Sequence, residues 1–140
     1  MFSLVYVSFA AHDLNDEALK DILKVARETN QQMEITGMLL YRDGFFIQVL
    51  EGDEDKVKAL FARIAADPRH RNVLTVHTGR VESRRFPDWT MGFNKLSDSD
   101  LDQIPGFTDF LSRPDDGARF TQNSDRVLAL LDSFKNRSYY

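Results

Sequence analysis

The sequence predicts an α+β fold, a five-stranded mixed sheet with helices on both sides, and three observations predict it. Apolar residues recur with a period of two in some segments and with helical i, i+3, i+4, i+7 spacing in others. Over residues 3–81 these segments alternate in the order βαββαβ, which closes most simply as one mixed sheet with both helices on a single face. The strand segments are apolar on both faces, so the second face also needs a cover, and the C-terminal third must supply it.

The first strand is Ser3–Phe9, a β-branched and aromatic run that ends at a polar turn. Asp13 and Asn15 offer N-caps for a helix carrying Leu19, Ile22, Leu23 and Ala26 on one face, which the spacing runs to Thr29 or Asn30. Asn30 then reads as a C-cap in the left-handed conformation. Ile35–Tyr41 and Phe45–Glu51 form a hairpin joined by Arg42, Asp43 and Gly44, since an Asp-Gly pair suits a turn of positive φ. Gly52 and Asp53 open a second helix with Val57, Leu60, Phe61 and Ile64 on its apolar stripe, and Asp67-Pro68 ends it. Val73–Val81 is the fourth strand and Met91–Leu96 the fifth. Asp98–Gln103 reads as a short helix broken by Pro105-Gly106, Ser112–Gly117 as a loop, and Gln122–Phe134 as a helix with Val127, Leu130, Leu131 and Phe134 in line. That stripe reads as cover for the bare sheet face.

Length and composition bound what such a fold can do. With 140 residues, 42% hydrophobic and 29% charged, the chain fits one domain, which at this size buries about 68% of its unfolded surface without a staple. Cysteine is absent, which excludes thiol nucleophiles and thiolate metal sites, and His12, His70 and His77 lack the spacing of a helical zinc pair. The N-terminus is apolar for only about ten residues, short of the ~18 that a membrane span requires, and has no basic leader region. The expectation is a cytoplasmic protein without a membrane. A net charge of −4 and a pI near 5.3 disfavour nucleic acid.

Polar side chains in apolar positions are the informative feature. Gln48 shares a pleat face with Phe46 and Leu50 in the middle of FFIQVLEG, and Tyr6 shares one with Leu4 in the first strand. A buried amide left unpaired costs about 1–3 kcal/mol, so each group needs a partner. The first and third strands are central in a βαββαβ sheet, which puts Tyr6 and Gln48 within reach of one hydrogen bond, facing the helices. Taken singly, both also fit packed strand residues bonded to backbone or loop. Arg63 and Asp67 stand i, i+4 on the second helix, with His70 after the proline turn, the pattern of a solvated salt-bridged edge. Trp89 and Met91, beside Pro87, read as core.

Together, Tyr6, Asn30, ITGMLLY (Ile35–Tyr41), FFIQVLEG (Phe45–Gly52), DPRHRNV (Asp67–Val73) and RRFPDWTM (Arg84–Met91) resemble the BLUF domains, blue-light sensors that use FAD. Periodicity alone reaches only a ferredoxin-like sandwich with an unusual polar pair. The resemblance spans about residues 1–96 and implies a flavin-binding domain there, with 97–140 a helical extension packed on the sheet. By that resemblance the flavin ring slots between the two helices. Tyr6, Asn30 and Gln48 match positions at its polar edge, and Arg63, Asp67 and His70 match positions near the ring or its ribityl-phosphate tail. Ile22, Ala26, Leu39, Phe46 and Ile64 would line the apolar slot, although ordinary core explains them equally. Thr29 departs from the pattern, since many relatives carry a second amide or a histidine there.

The resemblance further implies that excited flavin draws an electron and a proton from Tyr6, with Gln48 as relay, and leaves Gln48 rearranged. Output would pass through Trp89 and Met91, of which the sequence leaves open which one faces Gln48. With 44 residues after Leu96 there is no room for a catalytic output domain, so the expectation is a sensor and not an enzyme, acting on its own copy as a homo-oligomer or on a separate effector protein. The alternative is a flavin-free ferredoxin-like module that binds a small ligand or a protein.

Overall fold

The computed structural model describes residues 1–12, 14–97, 99–100, 124–136 and 138. Strand β1 covers Phe2–Ala10, helix α1 Asp16–Met33, β2 Thr36–Arg42, β3 Phe45–Gly52, α2 Glu54–Ala66, β4 His70–Arg80, β5 Gly92–Lys95, and α3 Ser124–Ser133. The five strands form one sheet in the order β4-β1-β3-β2-β5. β1 lies antiparallel to β3 and β4, β2 antiparallel to β3, and β5 parallel to β2. This is the α+β, ferredoxin-like sheet that the alternation of periods predicts.

Each boundary has a local cause. The hairpin turns on Asp43 (φ 46°) and Gly44 (φ 87°), with Arg42 opposite Phe45, so both turn residues take the positive φ that a two-residue connection needs. Asn15 caps α1 through its side chain, which accepts from the Ala18 amide at 2.8 Å; Asp13 lies outside the described residues. The helix runs past Asn30 to Met33 and stops at Glu34, which adopts the left-handed conformation (φ 56°, ψ 38°) and gives its amide to the carbonyls of Asn30 and Gln31. The expected C-cap at Asn30 is therefore wrong. Met33 packs against the core about two turns beyond Ala26, the last residue of the apolar stripe, and Ile35 is buried behind it, so the helix continues until the chain must reverse. Asp53 caps α2, whose end at Asp67 falls where the proline requires it. β4 begins at His70, three residues earlier than alternation suggests, because His70 and Arg71 pair through backbone with Ala10 and Phe9 across two register shifts.

Strand alternation divides the core in two. On one face Leu4, Tyr6, Leu39, Tyr41, Phe46 and Leu50 pack with Leu19 and Leu23 of α1 and Val57 and Leu60 of α2. On the other, Val5, Val7, Met38, Leu40, Ile47 and Val49 pack with Val127, Leu130, Leu131 and Phe134 from α3 and the residue after it. So the C-terminal stripe does cover the second face. The helix expected over 98–103 and the loop expected over 112–117 lie outside the described residues, apart from Ser99 and Asp100. Gly37 holds β2 close to β3: a Cβ there would stand 1.9 Å from the Val49 carbonyl oxygen.

Candidate functional site

A cleft of about 200 Å³ lies between α1 and α2 with the sheet as its floor. Tyr6 of β1, Leu39 of β2 and Phe46, Gln48 and Leu50 of β3 form that floor. Ile22, Val25, Ala26, Thr29 and Asn30 face it from α1, and Leu60, Arg63 and Ile64 from α2. Asp67, Arg69 and His70, from the α2–β4 turn, complete the lining. Every candidate binding residue singled out in the sequence thus borders one cavity. Pattern reading had not singled out Val25, Leu50, Leu60 and Arg69. Leu50 and Leu60 were visible as the i+2 and i−4 neighbours of Gln48 and Ile64, and Val25, 57% exposed, as an apolar side chain left in solvent beside the helix's core stripe.

Tyr6 and Gln48 are register partners on adjacent antiparallel strands. The Tyr6 hydroxyl donates to Gln48 Oε1. Burial pushes the phenol's pKa up, so Tyr6 stays protonated across the ordinary pH range. Gln48 is held from its other end as well, because Nε2 donates to the Met91 sulfur at 3.2 Å. The amide has both halves engaged although it sits on an otherwise apolar face, which is what lets it be buried.

The choice between Trp89 and Met91 is settled by packing. Met91 joins the core on the helix side, the one that holds Tyr6 and Phe46, whereas Trp89 packs on the α3 side and donates its indole N–H to the Lys135 carbonyl at 2.7 Å. α1 holds the intervening backbone: Asn30 Nδ2 donates to the Thr90 carbonyl at 2.6 Å and Arg27 Nε to that of Met91 at 2.9 Å. Asn30, 1% exposed, gives its amide nitrogen to this bridge.

At the α2–β4 turn, Asp67 pairs with Arg69 at 2.6 Å and not with Arg63 as i, i+4 spacing suggests. Asp67 ends the helix with extended backbone, where the turn brings Arg69 back onto it. The hydrogen bonds from Arg69 hold its pKa down at about 2. Arg63 stays exposed at the cleft. His70 sits with Nδ1 3.0 Å from Ser8 Oγ and its ring 5.3 Å from that of Phe46. Burial lowers its pKa against the opposing field of Asp67. Among the described residues, no cluster of His, Cys, Asp and Glu could hold a metal ion, and no helix is long and apolar enough to cross a membrane.

A ferredoxin-like sandwich whose helix-side cleft joins apolar walls to a phenol and two amides defines a module for a planar ligand that both donates and accepts hydrogen bonds. The chain belongs to the BLUF family, the sensors of blue-light using FAD, which matches residues 1–92. It is 37% identical over 112 residues to the photoactivated adenylate cyclase subunit beta of Euglena longa, a match covering 79% of this chain and 13% of that subunit. Among solved structures, the photo-activated state of BlsA aligns with a TM-score of 0.76 and 27% identity over 98% of this chain and 96% of that one. Klebsiella pneumoniae BlrP1 with FMN and cyclic diGMP aligns at 0.66 and 31%, over 96% of this chain and 34% of that one. The chain therefore spans about an eighth of the cyclase subunit's length. BLUF domains bind flavin and respond to blue light in company with effector domains or proteins. The matched region is the sensor module of that family.

Proposed function

We propose that this chain senses blue light through a bound FAD, with Tyr6 as electron and proton donor and Gln48 as the switch, and that it reports through contacts with another protein chain. The observation that carries the reading is the hydrogen bond from the Tyr6 hydroxyl to Gln48 Oε1 in the wall of a ring-sized cleft. The lining suits a flavin. Ile22, Ala26, Leu39, Phe46 and Ile64 offer apolar contact to its faces, and Gln48 and Asn30 offer amides to the mixed donors and acceptors of its polar edge. Thr29 also borders the cleft and can offer a hydroxyl in place of an amide. Arg63 and Arg69 suit a phosphate-bearing tail, with Asp67 holding Arg69 in place and the His70 ring beside them; a diphosphate uses both guanidinium groups, which favours FAD over FMN.

When bound, the ring supplies the blue-light chromophore and, once excited, a strong oxidant. Tyr6 is the residue placed to be oxidised, and its proton leaves along the bond it already makes, toward Gln48. Gln48 is then the group whose hydrogen bonds differ between dark and lit forms. One net hydrogen bond is worth ~0.5–1.5 kcal/mol, while moving a population from 1:99 to 99:1 takes ~5.5 kcal/mol. Equilibrium exchange of bonds at Gln48 is too weak, so light must load a metastable arrangement that decays thermally.

Met91 touches Gln48 directly, and two residues before it Trp89 reaches the chain after α3. We infer that the signal runs along this segment from a flavin-binding domain, residues 1–96, to an extension, residues 97–140, whose helix covers the far face. Its recipient is a second copy of the chain or a separate effector.

A light-minus-dark absorption spectrum of the purified chain tests the reading. The expected result is a yellow protein carrying FAD whose visible band shifts a few nanometres to the red on blue illumination and returns in darkness. A colourless protein that takes up no added flavin, or one that bleaches without recovery, refutes it.

A further inference from the structure

On the α3 side of β3, where Ile47 and Val49 pack in hydrocarbon, the next residue in the alternation is a carboxylate. Glu51 is 0% exposed. Burying a charge among apolar groups is costly unless hydrogen bonds replace its water, and here they come from the connection between β4 and β5. Glu51 Oε2 accepts from the Arg85 amide at 2.7 Å, and Oε1 accepts from the Phe86 amide at 2.9 Å and from the Thr36 hydroxyl at 3.2 Å. The Arg84 guanidinium closes the clasp from outside, donating to Thr36 Oγ1, to the Glu51 carbonyl and to the Glu34 carbonyl at 2.8, 2.9 and 2.6 Å.

Three consecutive residues, Arg84 to Phe86, are thereby pinned to the ends of β2 and β3. The chain that leaves this pin turns at Phe86–Trp89, receives the Gly37 amide on the Trp89 carbonyl at 3.0 Å, and delivers the Met91 sulfur to Gln48 Nε2. Arg85 also reaches Asp132 of α3 at 2.9 Å. A carboxylate is the group this pocket asks for. It meets two successive N–H groups with two acceptor oxygens, whereas an amide would turn its own N–H₂ toward one of them.

We propose that Glu51 is a positioning residue for the light response: its buried carboxylate anchors the segment that holds Met91 on Gln48 and Arg85 on α3. The proposal rests on Gln48 being the switch. It differs from a general stabilising role in requiring that Glu51 act on the photocycle through Met91, which belongs to the core on the other side of the sheet.

The test is a double-mutant cycle on the flavin-loaded full chain, reading the dark-recovery rate of the red-shifted state. Glu51→Gln is expected to keep flavin occupancy and the red shift and to change the recovery rate roughly two- to tenfold, the equivalent of one net hydrogen bond. In a Met91→Ala background the same substitution should change it by less than twofold. Equal effects in both backgrounds, or no effect in either, overturn the proposal. If Glu51→Gln does not fold, Thr36→Val, which leaves the carboxylate and removes one of its donors, serves in the same cycle with the same criterion. A parent chain that shows no reversible red shift defeats the sensing reading itself, and is told apart because it fails before any substitution is made.

Discussion

Removing the Tyr6 hydroxyl tests stability and photochemistry in one variant. Tyr6→Phe keeps the ring and its tilted contact with Phe61, 5.3 Å between centroids, and deletes only the donor to Gln48 Oε1. Gln48 is 6% exposed, so water can replace that donor only partly, and an acceptor stranded this way costs about 1–3 kcal/mol. At roughly 3 °C per kcal/mol for a chain of this size, the melting temperature should fall by roughly 3–9 °C with flavin held in excess. Adding Gln48→Leu removes the stranded amide along with its bond to the Met91 thioether, a weak acceptor, and should restore most of the loss. Both variants should bind flavin and neither should form the reversible red-shifted state. A thermal melt and a light-minus-dark spectrum decide it. A normal difference spectrum in Tyr6→Phe refutes the donor role, and a double variant as unstable as the sum of the two single ones refutes the hydrogen-bond argument.

Three further outcomes follow from the geometry. Arg63→Ala, at the exposed rim of the cleft, should lower FAD retention on gel filtration while the molecules that keep flavin still photoconvert; unchanged occupancy removes Arg63 from the tail site. Because burial depresses the His70 pKa in the folded chain, the unfolded chain takes up the proton first, so the His70 contribution to stability is present above the unfolded value near 6.5 and lost as pH falls from there to the folded value. Melting temperature should drop over that interval, and the drop should shrink in His70→Gln; identical profiles for the two proteins count against it. Leu131→Ala, at a position 1% exposed on α3, should cost about 2–5 kcal/mol in urea unfolding; a cost under about 1 kcal/mol would mean that α3 does not seal the second face.

Much of this was legible in the residues. Alternation along SLVYVSF and FFIQVLEG assigns Tyr6 and Gln48 to the helix side and Val5, Ile47 and Val49 to the other, because successive strand side chains point to opposite faces whatever the strand's neighbours are. Asp43-Gly44 announces its turn, since few other residues accept positive φ there. The resemblance adds the cleft between the two helices. Asn30 reads as a cap because a cap and a helix-interior residue look alike in sequence, and it is the packing of Met33 that carries the helix past it. Asp67 pairs with Arg69 and not Arg63 because i, i+4 spacing holds only while the helix lasts.

The sequence by itself determined the order of strands and helices over residues 3–81, which face each presents, and that a phenol and an amide stand in positions meant for hydrocarbon. Only the tertiary structure decided that Met91 and not Trp89 meets Gln48, that Asn30 ties α1 to Thr90, and that Glu51 is clasped by Arg85 and Phe86. The physical reason is that residues 81–91 follow no repeating backbone geometry. Without a period there is no face to read, and each side chain's direction is set by hydrogen bonds to residues thirty to sixty positions away in the chain.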